Sequence, residues 1–506
     1  MLRLAIRTAT IAGAIVAAAC VYDAPVTPHD TNISAATVST GPSLQIAATA
    51  TAEPGGRYLI VFNPGRSAAA AIATELSTNG GHLEGLHEQL GFAVVSGITS
   101  EAAGRLAKAD GVGSVEGDIE FALESPSQAE ALDASDLGTQ SAESPQTAFF
   151  FVRQWNMRAI RADAAWAGGA LGSPNVSVAI LDTGIDYRWP DLNGRVDLAR
   201  SISMRPDEDA RLHTWFGALN LNPITDLNGH GTIVSSIVAS NSNYFAGVTT
   251  RTTLFGVKVC TVFNTCSTLA TLNGILYAAD HGADVINMSL GGAFPKSAAP
   301  GLVSIFSRVL NYANRRGTLI VVAAGNEAAD LDHNGNIYSL YCNSPHVVCV
   351  SATGPTAAPT PVGPFTNPDA VTPYTNYGRS AVSLAAPGGG ITSSNVLVSG
   401  PCSQTALAWH QPPPPTPGAP LPPPVIDAPR CPESGGLFRL SDAGTSFSAP
   451  HVAGVAAALV AMMGPGNPSQ IRARLQSSSD DLGAPGTDPF YGHGRLNAGR
   501  AVGALP

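Results

Sequence analysis

The pattern of apolar and polar positions predicts a small folded unit near the N-terminus. Its strands and helices alternate, and its second helix is predicted to begin with Ser100 as its cap. The strands are predicted at Tyr58–Phe62, Gly91–Val95 and Val112–Phe121, and the helices at Ser67–Leu76 and Ser100–Lys108. This order predicts a small α+β domain of the ferredoxin-like kind over residues 56–122.

A second, larger pattern of alternating strands and helices occupies residues 151–506. The strands are predicted at Val176–Leu181, Thr253–Val259, Ala283–Ser289, Thr318–Ala323, Val347–Ala352 and Val382–Ala385, and the helices at Leu269–His281, Leu302–Arg315 and Val452–Met463. Repeated strand–helix units of this length predict an α/β fold, a mostly parallel sheet with helices on both faces.

Three stretches lack any sustained periodicity. Residues 20–55 and 123–150 are rich in small and polar side chains, which is typical of linkers. Residues 411–425 are mostly proline, so they fit neither a central strand nor a helix interior. We predict a surface insertion there, and the alternative is an extended arm that a partner binds.

Composition narrows the class of protein. The chain has 506 residues, of which 44% are hydrophobic and 13% charged. These values are typical of a packed protein with more than one folded unit and exclude a disordered chain. The net charge is −10 and no basic stripe is present, so a nucleic-acid partner is not expected.

The N-terminus has the pattern of an export signal. Arg3 and Arg7 precede the apolar stretch Ile11–Ala19, which ends in small residues suited to cleavage. Residues 1–19 are therefore predicted to be a signal peptide. No later segment has about 18 uninterrupted apolar residues, so we expect an exported monomer without a transmembrane helix.

Six of the seven cysteines fall into near pairs along the chain. In an exported protein such a set predicts disulfides, although spacing alone leaves other connectivities open. The predicted pairs are Cys260–Cys266, Cys342–Cys349 and Cys402–Cys431, the last of which brackets the proline-rich insertion.

Cys20 stands alone directly after the apolar stretch. It resembles the lipid-modified cysteine of bacterial lipoproteins, but Ala17 occupies a position where that motif usually has leucine. The alternative is an ordinary signal peptide that is cut near Ala19 and leaves a thiol.

Three local motifs carry candidate chemistry. Asp182 ends an apolar strand, and the carboxyl ends of parallel strands open into the crevice where such sheets bind ligands. His230 lies between two glycines at a loop–helix junction. Ser446 lies near the start of a helix, because Pro450 fits only an early turn, and helix starts offer backbone N–H groups to an oxyanion. Each motif alone also has a structural explanation.

Together, in the order Asp, His, Ser, the motifs closely resemble those of the subtilisin-like serine peptidases, from about Gln154 to Leu496. The resemblance implies that Ser446 attacks the scissile carbonyl, that His230 takes its proton and that Asp182 orients the imidazole. It also implies that Asn326 stabilises the oxyanion.

The resemblance assigns substrate contacts as well. Ser289, Leu290 and Gly291 would pair with the peptide backbone, and Ala323 and Gly325 would form a wall of the pocket for the residue before the cut. The base of that pocket is expected between Glu327 and Val350.

Residues 56–122 resemble the subtilase propeptide. This implies an intramolecular inhibitor released by self-cleavage between about Ala122 and Trp155, and the alternative is an unrelated small domain. The Ser446→Ala precursor is expected to stay uncut.

The chemistry needs no cofactor, but two places suggest structural calcium. Asp330, Asp332 and Asn334 follow the spacing of an EF-hand loop, although Tyr341 stands where a closing glutamate is required. A polar turn is the alternative. Asp191 matches a position that binds calcium in some subtilases.

These observations predict a secreted serine endopeptidase that acts on polypeptides through an acyl-enzyme on Ser446 and processes its own precursor. Two alternatives are open. The first is a catalytically inactive binding protein on the same scaffold. The second is a dedicated processing protease that uses the proline-rich insertion as a docking arm.

Overall fold

The computed structural model describes residues 56–123, 128–132, 141–416, 419–431 and 437–506. The predicted signal peptide, Cys20 and the predicted linker 20–55 lie outside these residues. In the part described, one helix is long and apolar enough to cross a membrane, and 83% of its apolar window is buried inside the protein.

Residues 56–123, which we call the N-terminal module, form an antiparallel four-stranded sheet backed by two helices. The strand order is β2-β3-β1-β4. The elements are β1 (Gly56–Phe62), α1 (Ala69–Asn79), β2 (His82–His87), β3 (Phe92–Ile98), α2 (Ser100–Leu106) and β4 (Val112–Gly117). The module has a hydrophobic core of its own between sheet and helices.

Three details of the module differ from the prediction. Strand β2 was not predicted, because its residues are mostly exposed or half-buried and show no apolar alternation. Helix α2 is capped by Thr99 rather than Ser100, and the Thr99 hydroxyl accepts from the backbone N–H of Ala102 at 3.2 Å. The last predicted strand is interrupted after Gly117 and resumes as β5 (Glu120–Ala122).

The predicted linker 123–150 is partly ordered. It contains strand β6 (Gln128–Leu132) and, further on, Phe150, which is buried against Phe245 with ring centroids 5.0 Å apart. The polarity of this stretch concealed a strand whose partner lies more than 300 residues away in the sequence.

The larger domain is built on a seven-stranded parallel sheet, as predicted. The strand order is β16-β15-β13-β11-β7-β9-β8. These strands are β7 (Ser177–Asp182), β8 (Ile202–Ser203), β9 (Thr253–Lys258), β11 (Val285–Met288), β13 (Leu319–Ala323), β15 (Val347–Thr353) and β16 (Leu384–Pro387). The smaller sheets use β10 (Thr265–Ser267), β12 (Gly292–Pro295), β14 (Ile337–Leu340), β17 (Val398–Pro401), β18 (Leu407–His410), β19 (Val425–Pro429) and β20 (Leu437–Asp442).

Helices cover both faces of the large sheet. They are α3 (Trp155–Ala159), α4 (Ala162–Ala167), α5 (Pro206–Phe216), α6 (His230–Val238), α7 (Thr268–Asp280), α8 (Pro300–Arg315), α9 (Thr445–Met463), α10 (Pro468–Ser477) and α11 (Ala498–Ala501). Alternate residues of each central strand enter opposite cores. In β7, Val178 and Ile180 pack in the core with α6 and α9, while Ala179 and Leu181 pack in the core with α7 and α8.

Helix α9 is the apolar helix noted above, and it is a core element. Its residues up to Val460 are buried, because its many alanines and Gly454 let it lie close to the sheet and to α6. A Cβ atom at Gly454 would lie 2.6 Å from Val248, so the helix could not pack as it does with a larger residue there.

The proline-rich insertion forms the end of a hairpin. Strands β18 and β19 pair antiparallel, and the prolines lie between them. Trp409 of β18 packs edge-on against Phe263 at 5.5 Å, which ties the hairpin to the rest of the domain. The three predicted disulfides, Cys260–Cys266, Cys342–Cys349 and Cys402–Cys431, are all formed, the last at the base of this insertion.

Candidate active site

Asp182 is the last residue of β7 and is completely buried. Its Oδ1 atom accepts a hydrogen bond from the backbone N–H of Thr183 at 2.7 Å and lies 2.8 Å from Nδ1 of His230. The apolar strand therefore places the Asp182 carboxylate at the edge of the sheet, where its main partner is the imidazole of His230.

His230 is the first residue of α6 and depends on the small size of its neighbours. Gly229 has φ +107°, and a Cβ at Gly231 would lie 2.2 Å from the carbonyl oxygen of Gly184 and 3.0 Å from Oδ1 of Asp182. The two glycines let the backbone come close enough for the imidazole to reach the carboxylate.

The pKa of His230 is set by opposing influences. Burial lowers it, but the carboxylate of Asp182, with those of Asp226 and Asp442, more than offsets this and raises the pKa above its ordinary value. A raised pKa means that the site favours the charged imidazolium that forms during proton transfer.

Ser446 is the second residue of α9, with 8% of its surface exposed. Its hydroxyl donates to the backbone carbonyl of Ser289 at 3.0 Å. Within the described part of the chain, Nε2 of His230 makes no hydrogen bond. The hydroxyl must therefore turn from the Ser289 carbonyl to the imidazole before it can lose its proton, and such bonds are often long or misaligned without substrate.

Asn326 lies beside the serine, and its side-chain orientation is fixed. Its Oδ1 atom accepts from the backbone N–H of Thr445 at 2.8 Å and from the Thr445 hydroxyl at 3.0 Å. With its oxygen occupied, the amide keeps its N–H donors for the cavity that Asn326 shares with Ser446. This orientation is compatible with the predicted oxyanion-hole role of Asn326.

The cavity next to Ser446 has a volume of about 370 Å³. The predicted residues Leu290, Gly291, Ala323 and Gly325 line it, whereas Ser289 takes part through the carbonyl that holds Ser446. The expected base between Glu327 and Val350 supplies only Glu327 and Ala328, and Pro373 and Tyr374 from a later loop complete the lining.

Glu327 adds a carboxylate to this cavity, so the pocket is less apolar than the sequence suggested. Its Oε2 atom accepts from Nδ2 of Asn376 at 2.6 Å, and Asn376 also donates to the backbone carbonyl of Ala324 at 2.9 Å. Asn376 thus holds the loop after β13 in place from a distant part of the chain.

Asp226 is a further residue of the site that was not predicted. Its Oδ1 atom accepts from the Thr183 hydroxyl at 3.0 Å and from the backbone N–H groups of Asn228 and Gly229, each at 2.9 Å. Its Oδ2 atom accepts from the N–H and the hydroxyl of Thr232 at 3.0 and 2.6 Å. This buried carboxylate caps α6 and ties it to the residue that follows Asp182.

The residues predicted to bind calcium already have protein partners. Asp332 accepts from the backbone N–H and the hydroxyl of Ser380, and Asp330 accepts from its own turn and from His333 at 2.9 Å. Asn334 donates to Ser339 and Asn343. The described part of the chain contains no group of three or more His, Cys, Asp or Glu residues arranged to hold a metal.

Asp191 is fully buried, and its carboxylate accepts three backbone N–H groups, from Asn243, Tyr244 and Phe245, at 2.7 to 3.0 Å. These donors occupy the oxygens that a calcium ion would use. Burial raises the pKa of Asp191 to about 6 despite these bonds. Calcium therefore stays a prediction at both places, and neither donor set fits it well.

A carboxylate, an imidazole and a hydroxyl converge at the carboxyl edge of a parallel sheet, with an oriented amide beside the hydroxyl. These are the groups that serine hydrolases of the acyl-enzyme class use. The profile of the Subtilase family matches residues 173–415 and 435–494. The chain belongs to this family of serine peptidases, and the resemblance seen in the sequence is confirmed.

Individual relatives agree with the family assignment. Thermitase of Thermoactinomyces vulgaris is 30% identical over 361 residues, which are 71% of this chain and 99% of thermitase. A thermophilic serine proteinase of Bacillus sp. (strain AK1) is 27% identical over 366 residues, 72% of this chain and 70% of that protein.

Two solved structures share the fold. The epidermin leader peptide processing serine protease EpiP of Staphylococcus aureus has a TM-score of 0.62 at 18% identity, covering 89% of this chain and 98% of EpiP. Fervidolysin of Fervidobacterium pennivorans, described as a keratinolytic enzyme related to subtilisin, has a TM-score of 0.60 at 20% identity. The match covers 91% of this chain and 63% of fervidolysin.

Proposed function

We propose that this subtilase is an exported endopeptidase made as a precursor, and that its N-terminal module is an inhibitory propeptide that the enzyme removes by itself. One observation carries the proposal. Ala122 and Leu123, the end of the module, line the same cavity as Ser446 and Asn326.

In this proposal, the end of the module occupies the cleft in the manner of a substrate. Strand β5 pairs antiparallel with β10, with Phe121 opposite Cys266, and the N–H of Leu123 donates to the carbonyl of Asn264 at 2.6 Å. A Cβ at Gly292 would lie 2.7 Å from Phe121, so the phenyl group fills space that a glycine leaves. This is recognition by strand addition with one anchored side chain.

The module is attached through the starts of two helices. Glu116 accepts from the backbone N–H groups of Gly301 and Leu302, both at 2.8 Å, at the start of α8. Asp118 accepts from the hydroxyl of Thr268 and the N–H of Leu269 at the start of α7. Carboxylates at helix N-termini are favourable because they meet unpaired donors and the positive end of the helix dipole.

Export is supported by the three disulfides, which persist in oxidising compartments. The sequence pattern of residues 1–19 agrees with it. A lipid anchor at Cys20 and cleavage after Ala19 without an anchor are both compatible with export, and mass spectrometry of the mature N-terminus separates them.

The proposal is tested with purified precursor and its Ser446→Ala variant. The wild-type protein is expected to shorten. N-terminal sequencing should place the cut between Leu123 and Gln128, because these two residues lie on either side of the catalytic centre. Ser446→Ala precursor should stay intact and bind no fluorophosphonate. Normal maturation of the purified variant would show that another protease makes the cut.

A further inference from the structure

The tip and the base of the proline-rich insertion differ in burial. The described residues of the tip, 411–416 and 419–424, are exposed or half-buried, as expected of a surface hairpin. The base is the segment Ser403–Leu407, which joins β17 to β18 and which we call the brace. Within the brace only Gln404 is exposed. The brace therefore belongs to the interior of the domain, where its polar groups need partners.

The brace binds the backbone that leads into the helix of the catalytic histidine. The hydroxyls of Thr405 and Ser403 donate to the backbone carbonyl of Asp226 at 2.6 and 2.9 Å. The N–H of Leu407 donates to the carbonyl of Leu227 at 2.8 Å. The carboxylate of Asp226 caps the histidine helix, as described, so the brace holds the residue on which the position of the histidine depends.

The brace also contacts the loop that follows Asp182. The N–H of Gln404 donates to Oδ2 of Asp186, a fully buried carboxylate, at 2.8 Å. The N–H of Asp186 in turn donates to the hydroxyl of Thr232 in the histidine helix at 3.0 Å. One short segment thus connects the loops that carry the catalytic aspartate and histidine, whose side chains must stay in hydrogen-bond contact.

The brace is itself held from behind by the other end of the insertion. The residue before it, Cys402, forms the disulfide with Cys431, and the N–H of Arg430 donates to the carbonyl of Ala406 at 2.7 Å. Burial lowers the pKa of Arg430, and the negative charge of Asp226 opposes this effect. The guanidinium therefore compensates part of the buried charge beside the histidine, and the closed base of the insertion forms one unit with the histidine loop.

We propose that the brace positions His230 relative to Asp182 for proton transfer. Ser403 and Thr405 are its positioning residues, and they act through Asp226. The tip of the insertion is not needed for hydrolysis. A displacement of a catalytic group by about 1 Å can lower a rate by about 10²-fold, so two hydrogen bonds at one carbonyl are sufficient to affect turnover. This role concerns peptide hydrolysis itself and is independent of how the precursor is cut.

The role of the hydroxyls is tested by steady-state kinetics on an internally quenched peptide chosen from the products of casein cleavage. Thr405→Val keeps the shape of the side chain but removes one donor, so kcat should fall about tenfold while KM changes by less than about twofold. The double variant with Ser403→Ala removes both donors, and kcat should fall about 10²-fold. Thr405→Ser retains a hydroxyl, so its kcat should stay within about twofold of wild type.

The matched control is Thr318→Val, at the amino end of β13. The Thr318 hydroxyl is buried and donates to the carbonyl of Ala283 at 2.7 Å, so this variant loses the same kind of bond away from the catalytic residues. Thermal unfolding followed by circular dichroism should show similar losses of stability for both valine variants, whereas only Thr405→Val should lose turnover. Equal falls in kcat in the two variants, or a change confined to KM, would overturn the positioning role.

The tip is tested by replacing residues 411–424 with Asn-Gly. His410 and Val425 lie opposite each other at the end of the hairpin, so a two-residue turn can join them. The kcat and KM for the peptide and for casein should stay within about twofold of wild type. A fall in kcat would show that the tip also supports the catalytic centre, and a higher KM for casein alone would show that it docks substrates. Either result would contradict the confinement of the role to the brace.

Discussion

The two halves of the catalytic centre are held very differently. Asp182 and His230 lie in a fully buried network in which Asp226 caps the histidine helix and binds the loop after Asp182. Ser446 lies at the rim of a cavity and donates to the carbonyl of Ser289 instead of the histidine. One half is locked by many bonds, and the other is completed by the turn of a single hydroxyl.

This difference separates two tasks of the site. In the half with Asp182 and His230, the imidazole must keep one tautomer and the carboxylate must balance the charge of the imidazolium. Both requirements are met by rigid, buried partners. The Ser446 hydroxyl must change its orientation before it can attack a substrate, so only the groups around it can be positioned in advance. Thr445 fixes the amide of Asn326, whereas the Ser446 hydroxyl is held by a single hydrogen bond, to the carbonyl of Ser289.

The largest effect is expected in the half of the catalytic centre that contains Ser446 and Asn326. Asn326→Ala should lower kcat by about 10²–10³ with little change in KM, because the amide acts on the transition state rather than on the bound substrate. Steady-state kinetics on a peptide, or the single-turnover rate of self-processing, measures this. Asn336→Ala, an exposed amide, is the control, and an equal loss in both variants would contradict the assignment.

A smaller loss of activity and a larger loss of stability are expected in the locked half, which contains Asp182, His230 and Asp226. Asp226→Asn leaves buried N–H groups facing an amide, so the free energy of unfolding should fall by about 2 to 3 kcal/mol, and misplacement of His230 should lower kcat roughly tenfold. Urea unfolding in the Ser446→Ala background avoids self-digestion.

The control for this variant is Asp163→Asn, an exposed carboxylate on α4 whose removal should change the unfolding free energy by less than about 0.5 kcal/mol. If Asp226→Asn lowered kcat without lowering stability, Asp226 would act on the chemistry directly and not as the frame of the locked half.

Local signals in the sequence predicted residues in both halves. The apolar run before Asp182, the glycines around His230 and the helix after Ser446 each carry such a signal, so the large sheet was predicted correctly and the three residues could be proposed as catalytic. Asp226 has a weaker signal, since an aspartate four residues before a histidine becomes informative only when the four residues that donate to it are folded around it.

The contacts that could not be predicted are those between distant segments. Pro373 and Tyr374 reach the cavity from a loop with no motif, and the pairing of β6 with β20 joins residues in a polar stretch to a strand far along the chain. Strand β2 escaped detection for a related reason, because an exposed strand needs no apolar alternation. Periodicity reports burial on one face, and these elements are defined by their backbone partners instead.

The smallest effect is expected on the pKa of His230, to which carboxylates of both halves contribute. Asp442 precedes the serine helix on the nucleophile side, yet its carboxylate helps Asp182 and Asp226 to raise the pKa of His230. Because His230 must be neutral to accept the serine proton, kcat/KM falls as the pH drops through this pKa. Asp442→Asn removes one negative charge, makes the imidazolium less favourable and lowers the pKa, so the acid limb of the pH profile should move to lower pH. Asp163→Asn, which is distant and exposed, should leave the limb in place. A shift to higher pH, or equal shifts in both variants, would mean that Asp442 does not act electrostatically on the histidine and that the two halves are tuned separately.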